Sequence, residues 1–120
     1  MLCGHTDVVA GDPSQFEPRI EAGRMYGRGT NDMKAGIAVA MAALEALAAE
    51  RIGNASLLLV PDEEVGSASS RDLTIDLARR HRRVFVLEPS DDGAAKVARK
   101  GTGLFHLRFH GRAAHAGLEP

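Results

Sequence analysis

The sequence predicts an α/β fold in which a mostly parallel sheet carries helices on both faces. Three observations carry this reading. Met1–Cys3, Ser56–Val60 and Val84–Leu87 are short runs made almost wholly of apolar residues, as expected of strands covered on both sides. Two longer segments between them repeat their apolar residues at helical spacing. Strand, helix, strand, helix, strand in that order requires crossovers, and crossovers join parallel strands.

Met1–Cys3 reads as the tail of a buried strand, with Cys3 a small residue inside it. Residues 8–28 are punctuated by Gly11, Pro13, Pro18, Gly23 and Gly27 and read as a long loop, a length usually reserved for loops that serve a site. The first helix spans Met33–Glu50, with Ile37, Met41, Leu44 and Leu47 on its inner face and Gly53 as its stop. Asn54 and Pro61 bound the second strand. The second helix spans Ser70–Arg80, capped by Ser69 or Ser70, with Leu73 and Leu77 on one face. Arg79-Arg80-His81-Arg82-Arg83 closes it, where cations complement the carbonyl end of the helix dipole. After Asp91-Asp92-Gly93 the pattern changes. In 96–99 and 102–110 apolar and polar residues alternate, Phe105, Leu107 and Phe109 against His106, Arg108 and His110, which predicts half-solvated antiparallel strands. The change divides the chain into a domain over residues 1–95 and the beginning of a second over 96–120.

With 120 residues, 44% of them hydrophobic, the chain can build one modest core. Its 15 basic and 16 acidic side chains leave a net charge of -1, too little to gather nucleic acid or anionic lipid over a distance. The single Cys3 excludes an internal disulfide and fits a reducing compartment. No stretch approaches the roughly 20 apolar residues that cross a bilayer, and no signal-length hydrophobic run follows a basic start. A cytoplasmic protein without nucleic-acid or membrane partners is the expectation. A motif with chemical character four residues from Met1, where chains fray, points to further sequence upstream.

That chemical character gathers at the ends of the apolar runs. Open α/β sheets bind ligands beyond the carboxyl ends of their strands, where hard ligands can converge without burying stray charge. His5 and Asp7, two apart in an extended chain, face the same side, so Asp7 can accept a proton from the His5 ring nitrogen turned away from a metal. Asp32, set among glycines, stands either as a helix cap or as a ligand. Asp62-Glu63-Glu64 is either an acidic surface turn or a division of labour, one carboxylate ligating while its neighbour acts as base. Glu88, held before Pro89, is a strand end or a fourth ligand. His115 lies in a small-residue turn that presents an imidazole outward, with or without a function, whereas His106 and His110 read as solvated-face residues.

Taken in order, GHTDVV, YGRGTNDMKAG, DEEVGS, LEP and GRAAHAG resemble the dinuclear zinc amidohydrolases and exopeptidases that include glutamate carboxypeptidase, aminoacylase, acetylornithine deacetylase and succinyl-diaminopimelate desuccinylase. The match covers nearly the whole chain, and LEPSDD, KVARKGTG and GRAAHAGLEP lean toward the glutamate carboxypeptidase branch. The resemblance implies a partial zinc-hydrolase catalytic domain over 1–95 and the start of an α+β dimerisation domain over 96–120. It implies two zinc ions, with cobalt able to substitute, held by His5, Asp32, Glu64 and Glu88, Asp32 bridging the pair. Glu63 would be the general base and acid, Asp7 the partner of His5, and a cis peptide after Asp32 would help aim its carboxylate. His115 would stabilise the oxyanion, commonly from the partner subunit of a homodimer. The substrate would be a small N-acyl amino acid or peptide, its amide cleaved by water activated between the metals.

Members of that family are several times longer, and their last zinc ligand is a histidine that would lie beyond Pro120. One metal then keeps its full set, His5, Asp32 and Glu88, while the other keeps Asp32 and Glu64. The 120 residues alone are therefore expected to be inactive or nearly so, and to bind one zinc better than two. A binding module that kept the fold but lost hydrolysis is the competing class. Retention of Glu63 beside the four ligands argues against it, because a decayed site should shed charge that is expensive to bury. A serine hydrolase lacks its Gly-x-Ser-x-Gly elbow.

Overall fold

The computed structural model describes residues 1–51, 53–112, 114–115 and 117–118. Its elements are β1 (Leu2–His5), β2 (Arg19–Glu21), β3 (Arg24–Tyr26), α1 (Ala35–Ala49), β4 (Leu57–Val60), α2 (Arg71–Arg79) and β5 (Phe85–Val86). The parallel sheet has the order β4-β1-β5. β1 pairs with β4 from Leu2↔Leu57 to His5↔Val60 and with β5 at Leu2↔Phe85 and Cys3↔Val86. The ladders run past the strand ends, Thr6 N–H donating to Val60 O (2.8 Å) and Leu87 N–H to Cys3 O (3.1 Å).

This order positions the site. The first crossover, through α1, carries the chain to one side of β1, and the second, through α2, carries it back across to the other. Right-handed crossovers taken in opposite directions put their helices on opposite faces. The crevice where the direction reverses lies between β1 and β5, beyond their carboxyl ends. His5 and Glu88 stand there.

The first helix begins later than the sequence pattern predicts. Residues Thr30–Lys34 form one wide turn, entered through Gly29 in the left-handed region (φ 76°) and kinked at Asp32 (φ -112°, ψ 96°) and Met33 (φ -132°, ψ 33°). The Asp32–Met33 peptide bond is cis, as the family resemblance implies. Asp32 is therefore not the cap of α1, whose capping position is Lys34. The inner face of α1 also differs. Met33 and Ala40 are fully buried, with Gly36, Ile37, Leu44 and Leu47 partly so, while Met41 is exposed. Small residues set this face: a Cβ on Gly36 would sit 2.1 Å from the Leu87 carbonyl oxygen, so α1 lies directly against the exit of β5.

Three further expectations are corrected. The segment 8–28 is not all loop: β2 and β3 pair antiparallel, turned by Ala22 (φ 49°) and Gly23 (φ 75°), the left-handed pair that suits the twist of a two-residue hairpin. β5 is parallel as expected but not buried, because it borders β1 alone and leaves Phe85 and Val86 more than half exposed. Residues 96–99 and 102–110 form no strand among the described residues. Val97 (94%), Phe105 (86%) and Phe109 (88%) are open to solvent, since a strand needs a neighbouring edge to satisfy its backbone and none lies beside this segment. Ala113, Ala116, Glu119 and Pro120 of the last motif lie outside the described residues. No helix among the described residues is long and apolar enough to cross a membrane.

Candidate metal centre

His5 ends the central strand and is 1% exposed, the only imidazole so enclosed among the described residues. Its backbone is held from below: the His5 N–H donates to Met33 Sδ at 3.2 Å, and Met33 fills the space under Gly4. Its ring is held from the side. Nδ1 lies 3.0 Å from the main-chain oxygen of Asp7 and 3.3 Å from the Asp7 carboxylate. Nε2 faces Asp32 Oδ1 at 3.1 Å and Glu88 Oε1 at 3.4 Å.

Both ring nitrogens thus meet acceptors only, and a neutral imidazole has one proton to give. Nδ1 needs that proton for the Asp7 carbonyl, which leaves the Nε2 lone pair facing two carboxylates. A second proton or a cation resolves the conflict. The surroundings favour the first solution: although burial opposes charging, the hydrogen bonds to Asp32 and Asp7 and the charges of Glu88 and Glu63 hold the His5 pKa above its ordinary value. The second is a metal. Ligand atoms about 2.0–2.1 Å from a tetrahedral ion lie about 3.4 Å apart, close to the spacings from Nε2 to Asp32 and Glu88.

The remaining carboxylates close the cup from the β4 side. Glu63 joins His5 and Glu88 in one set of donor atoms within 4.8 Å of one another, and Glu64 joins His5 and Asp32 in another. The structure therefore brings together five of the sequence-predicted residues, His5, Asp32, Glu63, Glu64 and Glu88. Desolvation, together with the negative charges of Asp32 and Glu63, raises the Glu88 pKa against the pull of His5. Mutual repulsion of this kind is what a bound cation would relieve.

Asp7 does more than orient His5. Its carboxylate accepts the main-chain N–H groups of Glu63 (3.2 Å) and Glu64 (2.9 Å), tying the exit of β1 to the acidic turn after β4. Burial works against its ionised form, but those two amides outweigh it and hold the pKa below the usual value. Lys34 adds a tie on the other flank, its Nζ donating to Thr6 O at 3.0 Å. His115 is not brought to the cup. It lies in an exposed turn where its Nδ1 accepts the Gly117 N–H at 3.2 Å.

Two contributors escaped the sequence reading. Met33 is an apolar residue beside a candidate ligand, and nothing in its type reveals that it supports the His5 backbone. Asp62 belongs to the acidic run but faces away from the cup. Its Oδ2 accepts Ser69 N–H (2.7 Å), Ser69 Oγ–H (2.7 Å) and Ser70 N–H (3.1 Å), contacts with Ser70 and Ser69 that draw its pKa down to about 2. Ser70 occupies the capping position of α2 but makes no capping bond with its own side chain, so Asp62 caps the helix from outside.

Comparison of the whole chain with known families finds that residues 1–113 match Peptidase family M20/M25/M40. The chain belongs to this family. It is 36% identical to a succinyl-diaminopimelate desuccinylase of Halorhodospira halophila, over 93% of this chain and 34% of the relative. It is 32% identical to a protein of the same name from Wolbachia sp. subsp. Brugia malayi, over 95% of this chain and 33% of the relative. The chain spans about a third of the length of these relatives. No solved structure matches it. The α/β fold with its parallel sheet is consistent with part of an M20 catalytic domain.

Proposed function

We propose that the chain forms the metal-holding wall of a zinc-dependent amide hydrolase acting on a small N-acyl amino acid or peptide. The observation that carries this is the buried His5 ring, with Nδ1 satisfied by Asp7 and Nε2 turned onto Asp32 and Glu88. In this reading His5, Asp32 and Glu88 hold one zinc, and Asp32 and Glu64 contribute to a second, with cobalt able to replace either. When bound, the metals acidify water and polarise a carbonyl.

The side chains do the rest. Asp7 keeps the proton on His5 Nδ1 through its carbonyl, so that Nε2 stays free to ligate. Through the amides of Glu63 and Glu64 the same residue fixes where those two carboxylates start. Glu63 takes a proton from the attacking water and returns it to the leaving amine. His115 stabilises the oxyanion, reaching across a homodimer. The names of the two relatives favour the deacylase over the carboxypeptidase branch that the sequence motifs suggest.

The test is a cobalt(II) titration followed by visible absorption. The wild-type chain is expected to bind, and His5→Gln to lose at least 100-fold in affinity. Glu63→Gln should retain both ions, and Glu64→Gln should weaken the second. Retention by Glu64→Gln with loss by Glu63→Gln would exchange the two roles, and no binding by the wild type would end the reading.

A further inference from the structure

Three carboxylates follow β4, yet only Glu63 and Glu64 enter the cup. Asp62 is turned the other way, into the loop that leads to α2. There one of its oxygens, Oδ2, takes three hydrogen bonds from Ser69 and Ser70, seven and eight residues further on. Its main-chain oxygen takes a fourth, from Ser67 N–H at 2.7 Å. Gly66 N–H closes the inner turn onto Glu63 O at 2.9 Å, and the chain reverses through Gly66 (φ 94°) and Ser67 (φ 55°). The loop is therefore wound around Asp62 as a hub.

Glu63 and Glu64 sit on the rim of that hub. Their amides are fixed by Asp7, which approaches from β1. On the side of α2, most of the hydrogen bonds that bind this turn end on Asp62 or on Glu63 O, and Arg71 N–H adds one to Ser67 O at 3.0 Å. Two aspartates thus grip the same short segment from opposite directions, one through its amides and one through its neighbours. We infer that Asp62 is a positioning residue, which sets the placement of Glu63 and Glu64 in the cup and so the affinity of the metal site.

This rests on the metal reading above, and the bland alternative is that Asp62 only caps α2. Amide hydrogen exchange separates the two without any metal. In Asp62→Ala, a cap alone would release the Ser69 and Ser70 amides. A positioning residue would also speed exchange at the Glu63 and Glu64 amides, which donate to Asp7 and not to Asp62, by about 10-fold or more, while Cys3 and Leu58 in the sheet stay protected. Unchanged exchange at Glu63 and Glu64 overturns the inference.

Cobalt(II) titration supplies the second arm. Asp62→Ala should weaken binding of the ion that Asp32 and Glu64 hold about 10- to 100-fold, as loss of an outer support commonly does, and leave the ion of His5, Asp32 and Glu88 nearly unchanged. Asp62→Asn should restore the weakened binding to within about 3-fold. Asparagine keeps one acceptor oxygen for Ser69 and Ser70, and its amide nitrogen replaces Oδ1, which is buried without a partner among the described residues, so no bond is lost although the new N–H groups stay unpaired. If the wild type binds cobalt and Asp62→Ala binds it equally well, Asp62 is a cap and nothing more. If the wild type binds none, the metal reading fails, and with it the link from Asp62 to metal affinity.

Discussion

Replacing Gly36 by alanine should destabilise the chain even though glycine-to-alanine changes inside helices ordinarily stabilise it. In a solvated helix interior the exchange gains about 1 kcal/mol, because glycine loses the most freedom on folding. At Gly36 the new methyl would lie 2.1 Å from Leu87 O and 3.1 Å from Leu87 C, both backbone atoms with no rotamer to escape into. Ordinary contact begins near 3.4 Å, so α1 must withdraw from β5 by about 1.3 Å. Overpacking of this kind costs about 1–3 kcal/mol, enough to reverse the sign. Gly53, whose added Cβ would meet nothing within 4 Å, is the control and should gain about 0.4–1 kcal/mol. Gly4 falls between them: its nearest neighbour is the flexible end of Met33 at 2.8 Å. Urea denaturation of the three variants should rank Gly53→Ala above Gly4→Ala above Gly36→Ala. Because withdrawal of α1 drags Asp32 away from His5, Gly36→Ala should also weaken cobalt binding. Equal midpoints for Gly36→Ala and Gly53→Ala would refute the close approach of helix and strand.

Met33→Ala should cost about 2–5 kcal/mol by emptying a fully buried site, while Met33→Leu should cost less than about 1.5 kcal/mol yet leave the His5 amide without its sulfur acceptor; thermal melts and His5 amide exchange read the two effects separately. Cobalt or zinc at 100 times its dissociation constant should stabilise the folded chain by about 2.7 kcal/mol, a gain that a chelator removes and that falls below about 0.5 kcal/mol in His5→Gln at the same metal concentration. The contacts with Ser70 and Ser69 hold the Asp62 pKa down at about 2, below its ordinary 3.8, so its contribution is fully present above pH 3.8 and is lost as pH falls toward 2. An acid titration monitored by circular dichroism should show that loss in the wild type and not in Asp62→Asn.

The sheet was legible because its three strands are the most apolar runs in the chain and alternate with helical periods. His5, Glu63, Glu64 and Glu88 were legible as candidates because they follow apolar strands, whereas Asp32 reads locally as a helix cap and was singled out as a ligand only by the family resemblance. What escaped is instructive. The hairpin of β2 and β3 is too short and too exposed to leave a hydrophobic alternation, so only Gly23 marked it. The wide turn at Thr30–Lys34 was hidden because Met33 continues the apolar spacing of α1 while standing outside it. The alternation of 102–110 has strand character, but pairing is a property of two segments and cannot be read from one. Asp62 and Glu63 are neighbours of one charge type, and only hydrogen-bond geometry tells the hub from the rim.

The strand order carries a final consequence for how the chain acquires its site. β5, the last strand in the sequence, lies beside β1, the first, so His5 and Glu88 become neighbours only after nearly the whole described sheet has closed. No local segment holds even three of the cup residues in place by itself. In the unfolded chain they are scattered ligands at the ends of long loops, whose closure carries an entropic cost. A metal bound there would therefore add to the drive to fold, and a chelator would remove that added stability.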